Sequence, residues 1–216
     1  MALTFYHGHG SPYSWRVWLA LEHLQVPYEL KLLSFAEGDT RKPEFVAINP
    51  RHQVPTIVDD GFTLWESIPI LEYLDERYGV DGPARLYPGT EVERAKTRRL
   101  VAEILEYVGV EGIDVITGQY FAEGAKGDAA IVAKGCEQVA KELRYLEGEL
   151  KGPFFGGATP SAVDIVLAPC LGYIHRIQFR KPESRVAEVV PAAIAAWYKR
   201  FQALPSFDKT FPQHWR

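Results

Sequence analysis

Two short runs of β-branched and aromatic residues, TIVD and FTLW, face each other across Asp60-Gly61 in the stretch VPTIVDDGFTLWESIPILEYL. A two-residue loop of this composition accepts positive φ at both positions, so it closes an antiparallel hairpin and little else. The pattern then changes period at once. SIPILEYLDERYG has helical spacing, with Ser67 expected as its cap, Pro69 tolerated in the first turn and Gly79 expected to end it. A hairpin feeding straight into a helix calls for a sheet with a helix packed on it.

The rest of the N-terminal part fits that requirement. LTFYHG is a short apolar run ending in glycines and reads as a strand. From Ser14 onward, Val17, Ala20, Leu21 and Leu24 recur at helical spacing, with Ser14 expected as the helix cap. PYELKLL alternates Tyr28, Leu30 and Leu32 and suits a strand. Residues 1–80 therefore form an α/β domain of order β-α-β, an irregular segment, then β-β-α. VDGPARLYPGTEVE breaks the pattern, which makes residues 81–92 a linker. From 93 to 216 the chain is all helical, without a convincing strand. Leu100, Ile104 and Tyr107 mark one stripe, and Val139, Leu143 and Leu146 another. Ser161 and Asp164, three apart ahead of an apolar helix, approach a capping box.

Composition narrows the function classes. The 216 residues are 47% hydrophobic and 24% charged, ordinary for a globular chain. With 24 basic against 28 acidic side chains the net charge is −4, so no global field draws nucleic acid or an anionic membrane. The basic cluster KTRR at 96–99 reads as a solvated helix face. Cys136 and Cys170 are too few for a disulfide framework and, lying in helical patterns, read as buried and inert. With no leader signature and no apolar run near ~20 residues, the expected location is the cytoplasm.

Ser11-Pro12-Tyr13-Ser14 has the spacing of a C-x-x-C redox motif with oxygen in place of sulfur. It lies at a strand-to-helix turn. Two other segments belong near it at one sheet edge: NPRHQVP (49–55) and Glu66-Ser67. Val54-Pro55 leads directly into a strand, as at a tight turn or a cis bond. A helix starting at Ser67 offers free N–H groups and the positive end of a dipole, a seat for a carboxylate. Tyr6 reads as a strand core residue. His7 and His9 lack a third ligand nearby, so no metal is expected. GHGSPYS lacks the spacing of a phosphate loop. Tyr107, Phe121 and Tyr173 fit either core packing or an apolar pocket.

SPYSWRVWLALE, KPEFVAINPRHQVPTIVDDGFTLWESIPILEYLDERY and TPSAVDIVLAPCL together resemble the cytosolic glutathione transferases over essentially the whole chain. The resemblance is strongest to the serine-type classes (phi, zeta, theta-like and bacterial). It implies a thioredoxin-like α/β domain followed by an all-α domain, and a homodimer. Glutathione would be the co-substrate, with no bound cofactor and no metal. The other partner would be an apolar electrophile held by Tyr107, Phe121 and Tyr173. Ser11 would donate to the glutathione sulfur, with Ser14, Tyr6 and Tyr13 as rivals. Val54 would pair with the cysteinyl part, Pro55 would be the cis proline and Gln53 would lie beside the peptide. Glu66 and Ser67 would hold the γ-glutamyl end, and Arg41 or Lys42 the glycyl carboxylate. Asp164 would be a folding element. Two departures stand out: His52 replaces a common glycine, and Tyr13 replaces the cysteine of the zeta-class isomerases. Glutathione-dependent disulfide or peroxide reductases, isomerases and non-catalytic binding modules share the same framework.

Overall fold

A computed structural model describes residues 3–79, 84–125 and 127–215. In chain order its elements are β1 (Leu3–Gly8), α1 (Pro12–His23), β2 (Tyr28–Leu33), α2 (Pro43–Val46), β3 (Thr56–Asp59), β4 (Phe62–Trp65), α3 (Ser67–Tyr78), α4 (Glu91–Glu103), a wide-turned helical segment Ile104–Asp114, α5 (Val115–Phe121), α6 (Ala129–Glu149), α7 (Ala162–Arg180), α8 (Ala192–Gln202) and α9 (Pro205–Thr210). The chain forms two compact units, Pro88–Leu204 and a first unit that ends at Tyr87 and takes back Pro205 onward. Of the expected linker, residues 81–83 lie outside the described residues.

The first unit is a four-stranded mixed sheet of order β2-β1-β3-β4 with helices, the expected α/β arrangement. β1 runs parallel to β2 and antiparallel to β3, and β3 pairs antiparallel with β4. The hairpin turn takes positive φ at Asp60 (49°) and Gly61 (82°), as its sequence demands. Alternation along β1 sends Leu3, Phe5 and His7 to one face and Tyr6 to the other. His7 lies against α1, its ring 4.8 Å from Trp18, whereas Tyr6 lies 5.6 Å from Phe45 of α2. Tyr6 is therefore half-buried under a short helix rather than part of the main core.

Residues 205–215 belong to this sheet unit, although their pattern reads as one more helix of the helical part. The reason is Trp15. Its indole is fully buried among Phe207, Phe211 and Trp215, ring centroids 5.4, 5.5 and 5.7 Å away, and its Nε1–H donates to Thr210 Oγ1 at 2.9 Å. A buried indole needs both apolar cover and an acceptor, and this segment supplies both.

The second unit is helical, with one isolated bridge between Phe154 and Gly157. α4 begins at Glu91 because Thr90 and Glu93 form a full capping box. Beyond Ile104 the turn widens to i→i+5 bonding, so the buried positions become Ile104, Val108 and Gly112. Tyr107, expected on that stripe, turns outward and is 40% exposed. Gly112 and Gly135 let α6 close on this segment: a Cβ on either would come within 2.7 Å of Val139 or Ile116. No helix among the described residues is long and apolar enough to cross a membrane.

Asp164 ties this unit together. Its carboxylate is fully buried and accepts from the N–H groups of Phe155, Gly156 and Ser161, the Ser161 hydroxyl and the Trp197 indole. The Ser161–Asp164 capping box is complete at the start of α7. An amide in place of the carboxylate turns one acceptor into a donor facing other donors. Asp164→Asn is expected to lower stability on the order of 3 kcal/mol, measured as a reduced urea midpoint.

Candidate active site

A cavity of about 440 Å³ opens at one edge of the first unit, within the usual range for small-molecule sites. Ser11, Tyr13, Gln53, Val54, Pro55, Glu66 and Ser67 line it, together with Phe35, Asn49, His52 and Trp65. Residues from three distant segments thus meet, and each segment has a local cause for its position.

The first segment is the turn between β1 and α1. Gly10 takes φ +81°, which a side chain resists, and a Cβ there would come within 2.9 Å of His214 Nε2. Ser11, held extended (φ −77°, ψ 116°) ahead of Pro12, is the N-cap of α1, and its Oγ accepts from the Ser14 N–H at 3.2 Å. Ser14, read from the pattern as the cap, instead lies inside the first turn. The helix begins at Pro12 because proline suits that position. Ser14 is fully buried and shares a 2.8 Å hydrogen bond with His7 Nδ1. Burial, reinforced by His9 nearby, pushes the His7 imidazole down to about 3, so it is neutral at physiological pH.

The second segment is organised by Asn49. This buried side chain donates to the Gln53 carbonyl (2.8 Å) and to Thr56 Oγ1 (2.9 Å), and its Oδ1 accepts from the Arg51 N–H (2.9 Å). Around it His52 adopts φ +57° and the Val54–Pro55 bond is cis. Val54 precedes the ladder residues of β3 and faces the cavity.

The third is the start of α3. Glu66, not Ser67, is the N-cap. It makes no side-chain cap bond and holds φ 68°, ψ 121°, an unfavourable region for a residue with a Cβ. Ser67 is buried at the first helical position, and the N–H groups of this first turn face outward from the helix end. Strain in Glu66, a helix dipole and a hydroxyl therefore coincide at the cavity wall.

Four of the sequence candidates in the first unit lie outside this cavity. Ser14 sits beneath Ser11, facing His7. Tyr6 lines a separate hollow with Leu33, Phe45, Ile48 and Lys42 on the other face of the sheet. Lys42 pairs with Asp39 at 2.6 Å there, and Arg41 is exposed on the neighbouring 3-10 turn. The 3-10 turn and α2 carry both basic residues away from the cavity. In the second unit, Tyr107 is exposed on the wide-turned segment, Phe121 is exposed at the end of α5, and Tyr173 is half-buried in α7, where burial raises its hydroxyl pKa. Among the described residues no group of three or more His, Cys, Asp or Glu could hold a metal.

Phe35 and Trp65 are not marked by the sequence, and Asn49 is marked only as part of the segment NPRHQVP. Asn49-Pro50 is a turn-opening pair, a signal that could have marked Asn49. His52 carried only the mark of replacing a glycine. Phe35 reaches the cavity because Gly8 leaves room for its ring, a contact no spacing shows.

Comparison with known proteins accords with the two-unit fold. The model of the glutathione S-transferase N-terminal domain matches residues 10–77, and that of the C-terminal domain matches residues 129–200. Glutathione S-transferase D7 of Drosophila melanogaster is 30% identical over 215 residues, covering 96% of this chain and 92% of its own. Glutathione S-transferase A of Pleuronectes platessa is 29% identical over 217 residues, covering 99% and 92%. Among solved structures, a glutathione S-transferase from the Antarctic clam Laternula elliptica superposes with a TM-score of 0.81 at 25% identity, covering 100% of this chain and 94% of that one. With a sheet unit and a helical unit each matched by its own domain model, and a relative aligned nearly end to end, the chain belongs to the glutathione S-transferase family.

Proposed function

We propose that the Ser11 cavity is the glutathione site of this transferase and that Ser11 is its sulfur ligand. The observation that carries the reading is the state of the Ser11 hydroxyl. Its oxygen accepts from the Ser14 N–H, so its proton is left to donate, and it lines the same cavity as Val54 and Ser67. A thiol of pKa about 8.5 is only a few per cent thiolate at pH 7, and the thiolate is the nucleophile. A hydroxyl donating to S⁻ favours the charged form and lowers that pKa. Serine serves because it only donates.

The remaining contacts follow from charge. The N–H groups at the start of α3 and the Ser67 hydroxyl take the γ-glutamyl α-carboxylate, and the Glu66 carboxylate takes its ammonium. Gln53 and Val54 lie beside the cysteinyl backbone. Among the described lining residues His52 is the one basic side chain, so we assign it, rather than Arg41 or Lys42, to the glycyl carboxylate. Tyr13 and Phe35, both exposed, offer apolar surface beside the sulfur. In the reaction the thiolate donates an electron pair to an electrophilic carbon. An S–C bond forms, and a leaving group departs with its bonding pair or the adduct takes a proton from water. The absence of a thiol at position 11 favours this transfer over mixed-disulfide exchange on the protein. A homodimer and a cytoplasmic location belong to the same proposal. The family's habit supports the first, and two buried cysteines outside any disulfide among the described residues suit a reducing compartment.

Ser11→Ala removes a donor to the charged form, so the pKa of bound glutathione rises toward its free value. A hydrogen bond to a charged group is worth about 1.5–3 kcal/mol, so the rise is roughly one to two units. Thiolate absorbance of the binary complex, titrated against pH, measures it; an unmoved titration removes Ser11 from the role. At Glu66 stability and binding should part. Glu66→Gly relieves a positive-φ residue and is expected to stabilise the fold by about 1 kcal/mol while weakening glutathione binding. Thermal melting and calorimetry on one preparation read both, and a loss of stability would show that the strain has no such cost.

A further inference from the structure

The Ser11 hydroxyl is not held by its own residue alone. The Ser14 N–H that donates to it belongs to the first turn of α1, where the Trp15 N–H to Ser11 carbonyl bond (2.9 Å) also ties the helix to its cap. First turns fray, because their leading N–H groups have no partner within the helix. Here the turn is anchored sideways. Ser14 is fully buried and its hydroxyl shares a 2.8 Å bond with Nδ1 of His7, a residue 1% exposed on β1. His7 is itself clamped, 4.8 Å from the Trp18 ring and 5.6 Å from Phe5. A rigid strand thus fixes Ser14, the Ser14 amide fixes the Ser11 oxygen, and the Ser11 proton is left to face the cavity.

We propose that His7, which does not line the Ser11 cavity, is a positioning residue for thiolate formation, acting through Ser14 on the Ser11 hydroxyl. This rests on the assignment of Ser11 as the sulfur ligand. The geometry supports it in either tautomer, since a neutral imidazole can donate to the Ser14 hydroxyl or accept from it. A donor N–H on the Ser11 oxygen also polarises its O–H, so losing the anchor weakens the bond to sulfur as well as loosening it. An apolar strand residue would pack equally well against Trp18 but would leave the Ser14 hydroxyl buried without a partner.

The test is the pH midpoint of thiolate absorbance in the glutathione complex, read beside the glutathione Kd and thermal stability. His7→Phe and Ser14→Ala should each raise the midpoint part of the way toward the Ser11→Ala value, with little change in Kd. His7→Gln, whose amide can still meet the Ser14 hydroxyl, should return the midpoint toward wild type. The double variant His7→Phe, Ser14→Ala removes both polar partners. It should recover stability relative to His7→Phe while its midpoint stays raised, an outcome a purely structural role does not give. If His7→Phe fails to fold, Ser14→Ala and the double variant decide the matter. A wild-type midpoint in Ser14→Ala and in the double variant, with a raised one in Ser11→Ala, overturns the positioning role and leaves the site intact. An unmoved midpoint in Ser11→Ala overturns the sulfur assignment, and the role of His7 falls with it.

Discussion

The junction between β1 and α1 carries more of the molecule than its few residues suggest. Gly10 must turn back sharply, Ser11 must stay extended to cap the helix, and Ser14 and Trp15 must both be buried in the first turn that follows. Each demand is met by a different part of the first unit. Strand β1 supplies His7 beneath Ser14, and residues 207–215 supply the aromatic box and the Thr210 acceptor for Trp15. The C-terminal segment also presses His214 toward Gly10, so the same chain end that covers Trp15 bounds the turn presenting Ser11. A hydroxyl that must meet sulfur with good geometry gains from such restraint on several sides, because a small misplacement of a catalytic group is costly.

The other walls of the cavity are built on a similar plan, with polar side chains holding irregular backbone in place. Asn49 spans the loop from Arg51 to Thr56 with three hydrogen bonds, which lets His52 keep a left-handed conformation beside a cis proline. Glu66 has no such support from its own side chain and remains the strained entry to α3. The second unit uses a buried carboxylate instead, with Asp164 gathering backbone, hydroxyl and indole donors at the start of α7. In each unit one irregular segment depends on a single buried polar side chain whose donors and acceptors are matched.

Much of this was legible in the sequence where the signal is local. The Asp60-Gly61 hairpin, the strand at Leu3, the helix ending at Gly79 and the Ser161–Asp164 box all follow from turn chemistry, period and caps that act within a few residues. The misreadings turn on backbone geometry or on contacts with residues distant in sequence. Ser14 looks like a cap until His7 is seen beneath it, and Ser67 looks like one until Glu66 is seen to take that place at positive φ. Tyr107 belongs to the core stripe only if the helix keeps its usual pitch, which it abandons at Ile104. The last segment reads as another helix of the bundle because its attachment to Trp15 bridges some two hundred residues. Site residues named through family resemblance came together where backbone geometry places them: Ser11, Val54, Pro55, Glu66 and Ser67. Lys42 and Arg41 did not, since the side on which a loop lies is set by packing such as Phe45 against Tyr6.

The central claim is that one hydroxyl, presented at the mouth of the β1–α1 turn, meets the sulfur of a bound tripeptide. A crystal structure of the complex with glutathione measures this most directly. The account predicts the sulfur within hydrogen-bonding distance of Ser11 Oγ, the γ-glutamyl carboxylate on the Ser67 hydroxyl and the first N–H groups of α3, and the glycyl end toward His52. A sulfur that meets the Tyr13 hydroxyl with Ser11 turned away, or a tripeptide seated beside Tyr6 and Lys42 on the opposite face of the sheet, would contradict it.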